Sequence, residues 1–202
     1  MMAGRLRREF AEIKKAPKAE GFDVCLVNDD YMHWKGCLSG PSGTPFQGGR
    51  FVVDIVFAKG YPFDPPKMKF DTKVWHPNIS SVSGAICLDI LKNEWSPALT
   101  LRTALLSLQA LLSCPNPDDP QDAEVAKQYI RDRKEWEFTA AAWTQKFAQA
   151  HDPTNKPPPL NEAQLAKIKK LTDMGFEETA VRETLIKLAW NDTKALELLL
   201  RK

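Results

Sequence analysis

Apolar positions near the start of the chain recur at helical spacing. Leu6, Phe10 and Ile13 fall at i, i+4 and i+7 with basic side chains around them, which predicts an amphipathic helix over residues 4–15. From residue 22 the period changes. Runs rich in apolar and β-branched residues, bounded by Gly, Pro, Asn and Asp clusters, predict strands over 22–27, 33–39, 50–57 and 67–71. Alternation is clearest in Phe51, Val53, Ile55 and Phe57. Consecutive strands joined by short turns make an antiparallel meander. Helical spacing returns beyond Thr100, an N-cap type, where Leu101, Leu105, Leu108 and Leu112 form one stripe. This is the candidate central helix, each fully buried leucine contributing roughly 1.5–3 kcal/mol before entropy is counted. Pro115-Asn116-Pro117-Asp118-Asp119-Pro120 breaks it, and helices over 122–132 and 133–149 follow. The second carries Trp136, Ala140, Trp143 and Phe147 on a stripe read as core.

Beyond residue 150 the pattern changes again. The segment 151–159 holds four prolines and reads as a stiff linker. Three short helical patterns then follow. Asn161 with Gln164 resembles a capping box before Leu165, Ile168 and Leu171, and Gly175 ends that helix. Val181, Leu185 and Leu188 stripe the second, and Asp192 is the expected cap of a third holding Leu196, Leu198, Leu199 and Leu200. The expectation is an α+β domain over 1–150, a linker over 151–160 and a three-helix bundle over 161–202.

Composition and charge narrow the function. With 43% hydrophobic and 27% charged residues the chain reads as an ordinary soluble globular protein, and a net charge of +2 gives no global case for nucleic acid. No apolar run reaches the roughly 20 residues that span a bilayer, and the basic start lacks the apolar core of a signal peptide. A cytosolic or nuclear protein follows by default. The turn over 39–49 is glycine-rich but lacks the Gly-Lys-Ser/Thr ending of a phosphate-cradling loop, so no nucleotide site is expected.

The four cysteines, Cys25, Cys37, Cys87 and Cys114, are far apart and include no zinc-ligand spacing, so no metal is expected. Cys25 and Cys37 lie in strand-like runs and Cys114 follows an apolar helix, so all three are read as structural. Cys87 alone has the polar, turn-rich surroundings that could leave its sulfur accessible. It follows the turn His76-Pro77-Asn78 by nine residues, which brings a carboxamide near a thiol. A sulfur can carry an acyl group as a thioester, and a carboxamide can donate to the oxyanion that forms when a nucleophile attacks it.

His76-Pro77-Asn78, a spacer through Ser80-Ser81-Val82, then Ile86-Cys87-Leu88-Asp89-Ile90-Leu91 and Trp95-Ser96-Pro97 resemble the active-site signature of ubiquitin-conjugating enzymes (E2s). The resemblance covers about residues 4–150. The remainder, with Met174-Gly175-Phe176 and the last-helix leucines, resembles a ubiquitin-associated (UBA) domain, and the order of the two matches the 25-kilodalton E2 subclass. The spacer is one residue longer than the commonest E2 pattern, a length this subclass also uses.

The resemblance implies roles for particular residues. Cys87 would accept ubiquitin from the activating enzyme (E1) and pass it to a lysine of a protein substrate. Asn78 would steady the oxyanion, an effect of about 10²–10³ in rate where one such donor has been removed elsewhere. Asp119 would orient the incoming lysine, with Asp89 a weaker candidate, and His76 would shape the turn. Arg5, Arg7 and Arg8 are candidates for E1 docking, and Phe63, Pro97 and Ala98 for RING-type ligases (E3). Met174, Gly175, Phe176, Leu199 and Leu200 would hold ubiquitin. ATP would be used upstream, with no cofactor bound here, and a monomer is expected. The implied products are polyubiquitin chains that signal proteasomal degradation. Two rivals are a cysteine hydrolase using Cys87 with His76 or His33, and a non-catalytic ubiquitin-binding scaffold.

Overall fold

Strand parity decides which side of the sheet is core. Val24 on β1 (Phe22–Val27), Trp34 and Leu38 on β2 (Asp30–Ser39), Phe51, Val53 and Ile55 on β3 (Arg50–Val56) and Phe70 on β4 (Lys67–Phe70) are all buried. They lie on one face. The protein is described here by a computed structural model that covers residues 2–16, 20–148, 160, 162–188 and 190–200. Its four strands pair antiparallel in chain order, β1-β2-β3-β4, as the meander reading expects. Asn28 and Asp29, with φ of 52° and 57°, make the tight turn between β1 and β2.

Helix α2 (Leu101–Ser113) packs its leucines into the core beneath the sheet: Leu101, Leu105 and Leu108 are fully buried, and Leu112 nearly so. The Thr100 hydroxyl accepts from the Thr103 amide at 3.3 Å, which caps the helix. Helix α1 (Met2–Lys15) buries Leu6 and Ile13. It also buries Glu9, which falls on the same stripe. Helices α3 (Ala123–Arg131) and α4 (Arg133–Phe147) start at the side-chain caps Asp122 and Asp132. Trp136, Ala140 and Trp143 of α4 enter the core, while Phe147 is half-buried.

Helices α5 (Glu162–Thr172), α6 (Glu178–Lys187) and α7 (Asp192–Leu200) form a three-helix bundle around Ile168, Leu171, Val181, Leu185, Trp190 and Ala195. Phe138 of α4 belongs to that same apolar cluster, its ring 5.4 Å from Trp190. The Trp143 indole also donates to the Ile186 carbonyl at 3.3 Å. The bundle therefore rests on α4.

Several expectations need correction. Cys25 and Cys114 are exposed and Cys37 is half-buried, so none of the three is a core residue. Parity explains the first two strand positions: with Val24 and Trp34 inward, Cys25 and Cys37 face out. Cys114 lies past the buried ridge of α2. Cys87, expected to be accessible, is instead the most enclosed of the four at 9% exposure. In the bundle, α5 turns Gln164 inward and leaves Leu165 47% exposed. The third helix is capped by Asn191, whose Oδ1 accepts from the Lys194 amide at 3.0 Å, while Asp192 pairs with Lys170 at 2.9 Å. The proposed linker 151–159 and Asn161 lie outside the described residues.

Candidate active site

The segment between β4 and α2 has few backbone bonds to a regular element, so its path is fixed residue by residue. His76 is fully buried. Its Nδ1 accepts from the Asn78 amide at 3.0 Å, so Nε2 carries the proton and donates to the Leu111 carbonyl of α2 at 2.9 Å. Burial pushes its pKa down to about 3, the bond to Leu111 opposing, and the ring is neutral at physiological pH. Downstream, Gly84 lies at φ 75° with its carbonyl accepting from the Phe70 amide at 2.9 Å. A Cβ there would sit 1.9 Å from the Phe70 carbonyl oxygen, so only glycine fits this anchor to β4. The Cys87 amide then donates to the Asn78 carbonyl at 2.9 Å. That bond sets the cysteine beside the turn.

Asn78 is 1% exposed, and its carboxamide is fully engaged. Nδ2 donates to the carbonyls of Asn116 at 2.7 Å and Asp119 at 2.9 Å, and Oδ1 accepts from the Asn116 amide at 2.8 Å. Both amide hydrogens therefore point into the Pro115–Pro120 loop. This differs from the expected aim at an oxyanion, because a carboxamide with two hydrogens already donated has none left for a third acceptor. The Pro77 carbonyl holds the far end of the same loop, accepting from the amides of Gln121 at 2.8 Å and Asp122 at 2.9 Å. The Asp122 carboxylate accepts from the Ser81 amide at 3.0 Å and hydroxyl at 2.7 Å, which pins the lengthened spacer to the start of α3.

Two polar side chains reach the Cys87 sulfur, one of them from the braced loop. Asp119 Oδ2 lies 3.2 Å from Sγ, and Lys92 Nζ lies 3.2 Å from it. Sequence reasoning reached Asp119 through a resemblance and missed Lys92. A 3-10 turn, Asp89–Leu91, folds the chain back, so five residues of sequence become one contact. Asp89 is exposed and accepts from its neighbour's amide, Ile90, at 2.7 Å. The two histidines proposed for a hydrolase are engaged elsewhere, His33 with Asp54 at 2.6 Å on the outer sheet face and His76 inside the turn.

The family model described as ubiquitin-conjugating enzyme matches residues 5–144. Among curated proteins the chain is 48% identical over 193 residues to ubiquitin-conjugating enzyme E2 27 of Arabidopsis thaliana, covering 96% of this chain and 95% of that one. It is 46% identical over 198 residues to ubiquitin-conjugating enzyme E2 K of Homo sapiens, covering 97% and 96%. A solved E2 domain from Toxoplasma gondii superposes with a TM-score of 0.70 at 55% identity, covering 73% of this chain and 99% of that one. The chain belongs to the ubiquitin-conjugating enzymes. The two relatives match through the C-terminal bundle as well, so this E2 is of the extended type.

The E2 family works with E1 enzymes, E3 ligases, ubiquitin and substrates, and the remaining predicted site residues fall on separate faces of this E2. Phe63 is 79% exposed on one loop, and Pro97 and Ala98 are exposed on a second. The Trp95 indole joins the two loops by donating to the Pro62 carbonyl at 2.8 Å. Arg5, expected to be a free docking cation, is committed internally: it donates to Glu9 at 2.7 Å, to the Pro97 carbonyl at 2.8 Å and to the Leu99 carbonyl at 2.7 Å. Glu9 in turn accepts from the Tyr61 hydroxyl at 2.7 Å and the Leu101 amide at 2.8 Å, so one buried carboxylate ties α1, both loops and the start of α2. Burial, then the Glu9 carboxylate, hold the Tyr61 phenol well above its ordinary range. Arg7 and Arg8 remain exposed, Arg7 lying 5.3 Å over the Tyr31 ring. In the bundle Met174 and Leu200 are 53% and 68% exposed, Gly175 is exposed and Phe176 half-buried. Leu199 is 7% exposed and belongs to the bundle core, which removes it from the expected surface.

Proposed function

We propose that Cys87 is the acyl carrier of this E2, with Asp119 positioning the acceptor lysine. The supporting observation is the sulfur held at 3.2 Å from the Asp119 carboxylate inside a fully braced loop. In loading, the Cys87 thiolate attacks the carbonyl carbon of the E1 thioester, the new C–S bond forms and the E1 thiolate leaves. In discharge, a lysine amine attacks that carbon, C–N forms, C–S breaks and the Cys87 thiolate leaves. Asp119 accepts a hydrogen bond from the entering amine and favours its loss of a proton. Asn78 contributes by holding the carbonyls of residues 116 and 119, and His76 by holding Asn78. No cofactor takes part in either transfer, since the ATP step belongs to the E1.

The bundle is read as a UBA domain whose Met174, Gly175, Phe176 and Leu200 bind ubiquitin. Tethering one ubiquitin beside the Cys87 thioester raises its local concentration as an acceptor. This favours chain building over single transfers, and the chains are assigned a proteasomal role. Phe63, Pro97 and Ala98 are assigned to RING-type ligases, and Arg7 and Arg8 to the E1. The protein is proposed to act as a monomer in the cytosol or nucleus.

The test is a loading assay with E1, ATP and ubiquitin on wild type and Cys87→Ser. A reductant-sensitive adduct on the wild type, replaced by a reductant-resistant ester on the serine variant, is the expected result. Absence of any adduct would remove Cys87 from the carrier role.

A further inference from the structure

Where the bundle meets the catalytic domain, the two enclose a cavity of about 380 Å³. The described residues of its wall come from four places in the chain: Lys73 after β4, the spacer at Ser81 and Val82, the last turns of α4, and α6. Val82, Trp143, Phe147 and Ile186 supply the apolar part. The Trp143 indole, donating to the Ile186 carbonyl at 3.3 Å, ties the α4 wall to the α6 wall. Val82 is apolar yet 90% exposed, which marks it as the open edge. A braced loop presents it: Asp122 holds the Ser81 amide and hydroxyl, and the Gly84 amide donates to the Ser80 carbonyl at 2.9 Å.

The charges around this cavity are unequal. Among the described residues, Lys73, Lys146 and Lys187 line it against a single acid, Glu183. Lys146 Nζ lies 3.6 Å from the Glu183 carboxylate, so that negative charge is already matched and two positive charges remain in excess. The Lys73 and Lys146 amines lie 5.4 Å and 5.9 Å from the centre of the Phe147 ring, which sets cations directly beside apolar wall. Concave sites of about 300–1,000 Å³ with aromatic walls and a few placed polar groups suit small molecules. We infer that this cavity is a binding site for a small soluble carboxylic acid with a short apolar chain. The chain lies against Val82, Phe147 and Ile186, and the amines of Lys73 and Lys187 meet the carboxylate. A neutral apolar molecule would leave the excess charge unmatched, and a bare phosphate would leave the apolar wall uncovered.

The site takes no part in acyl transfer and does not depend on which residue carries the acyl group. Its effect is on the junction. Because the wall belongs to both the catalytic domain and the bundle, the molecule binds only when the bundle rests on α4. By linkage, binding then holds the bundle there.

The probe is octanoate, titrated into the isotope-labelled full chain and followed by two-dimensional NMR, with octanol and octylamine at matched concentrations. One saturable set of shifts is expected on Lys73, Val82, Phe147, Ile186 and Lys187, together with a thermal midpoint that rises with octanoate. Octanol and octylamine should bind at least about tenfold more weakly. Lys73→Glu combined with Lys187→Glu, at two exposed positions, should weaken octanoate by a similar factor while the free protein keeps its thermal midpoint. Val82→Asp, which sets a carboxylate at the open edge without touching the core, should act in the same direction. Shifts that never saturate, shifts confined to Met174 and Leu200, octanol binding as tightly as octanoate, or unchanged affinity in both variants would each overturn the proposal. So would cavity resonances that ignore octanoate and move with free ubiquitin, which would make the cavity a protein interface.

Discussion

The Pro115–Pro120 loop and the Met174-Gly175-Phe176 turn are both short segments with exposed side chains, and they are held in opposite ways. The first is gripped by directional bonds from buried groups, three from the Asn78 side chain and two to the Pro77 carbonyl at its end. The second is held by turn bonds, the amides of Asp173, Met174 and Gly175 donating to the carbonyls of Lys169, Leu171 and Thr172, and by Phe176 packing on the bundle core. Below it lies an apolar core. A segment that must place one carboxylate 3.2 Å from a sulfur needs restraint in direction as well as distance, and hydrogen bonds supply it. A segment that offers apolar area to a partner needs only a firm base. The difference predicts that the first will fail when one polar group is removed, and that the second will tolerate surface change in stability but not in binding.

Asn78→Ala should break the contrast most severely. Three hydrogen bonds are lost and loop carbonyls are left without their donors, a cost of about 2–3 kcal/mol in stability. Displacing Asp119 by even an ångström is expected to slow discharge to free lysine by about 10²-fold. Loading should suffer less, because the Cys87 amide is held by the Asn78 backbone carbonyl, which the substitution keeps. Single-turnover loading and discharge, with a denaturant titration alongside, separate the possibilities. Unaltered stability with slowed discharge would return Asn78 to a direct oxyanion role, and equal slowing of both steps would count against either account.

His76 gives a smaller effect with a definite pH window. Its folded pKa of about 3 lies below the ordinary histidine value of 6.5, so the unfolded chain binds the proton first as pH falls. The stability it contributes is complete above pH 6.5 and is lost at about 1.4 kcal/mol per pH unit as pH drops toward 3. Asp54, whose carboxylate is also held below its ordinary value of 3.8 despite burial, chiefly by Lys35 and then His33, contributes only at lower pH. The interval from about 6.5 to 5 therefore isolates the histidine. Denaturant midpoints of wild type and His76→Gln over that interval should differ in slope, the wild type alone losing stability. Parallel slopes would mean that the imidazole is not a buried neutral group.

Much of the fold could be read directly because its pattern is periodic. The leucine stripe of α2 and the alternation of β3 state which face is buried, and the strand limits of β1 follow from its flanking turns. The same parity, applied further, would have turned Cys25 and Cys37 outward. Glu9 was legible in the same way: it lies three residues after Leu6 and one before Phe10, within the apolar stripe, where a charge must be paired. The site itself was only partly legible. Cys87 and the His76-Pro77-Asn78 turn stand out as a motif, but Lys92 comes to the sulfur through a 3-10 turn and Asp119 through bonds from a residue 41 positions away. Neither path has a period. The direction of the Asn78 carboxamide could not be read either, since it depends on which carbonyls the loop presents.

The smallest effect on stability should come from the bundle surface, where neighbouring leucines make an internal control. Leu200 is 68% exposed and Leu199 is 7% exposed, one step apart on α7. Leu200→Glu and Met174→Glu remove no buried contact, so each should change stability by no more than about 0.5 kcal/mol. If the turn and the end of α7 form a ubiquitin-binding face, the same two substitutions should abolish saturable binding of free ubiquitin in an NMR titration. Leu199→Ala should do the reverse in kind, weakening the bundle by about 2–5 kcal/mol through the cavity it leaves. Because Phe138 shares that core, the damage should also reach α4. Leu165→Glu, exposed on α5, serves as the surface control, since its face is not assigned to ubiquitin. Undiminished binding in the Leu200 and Met174 variants would move the partner surface elsewhere on the bundle and leave the turn as a structural stop to α5.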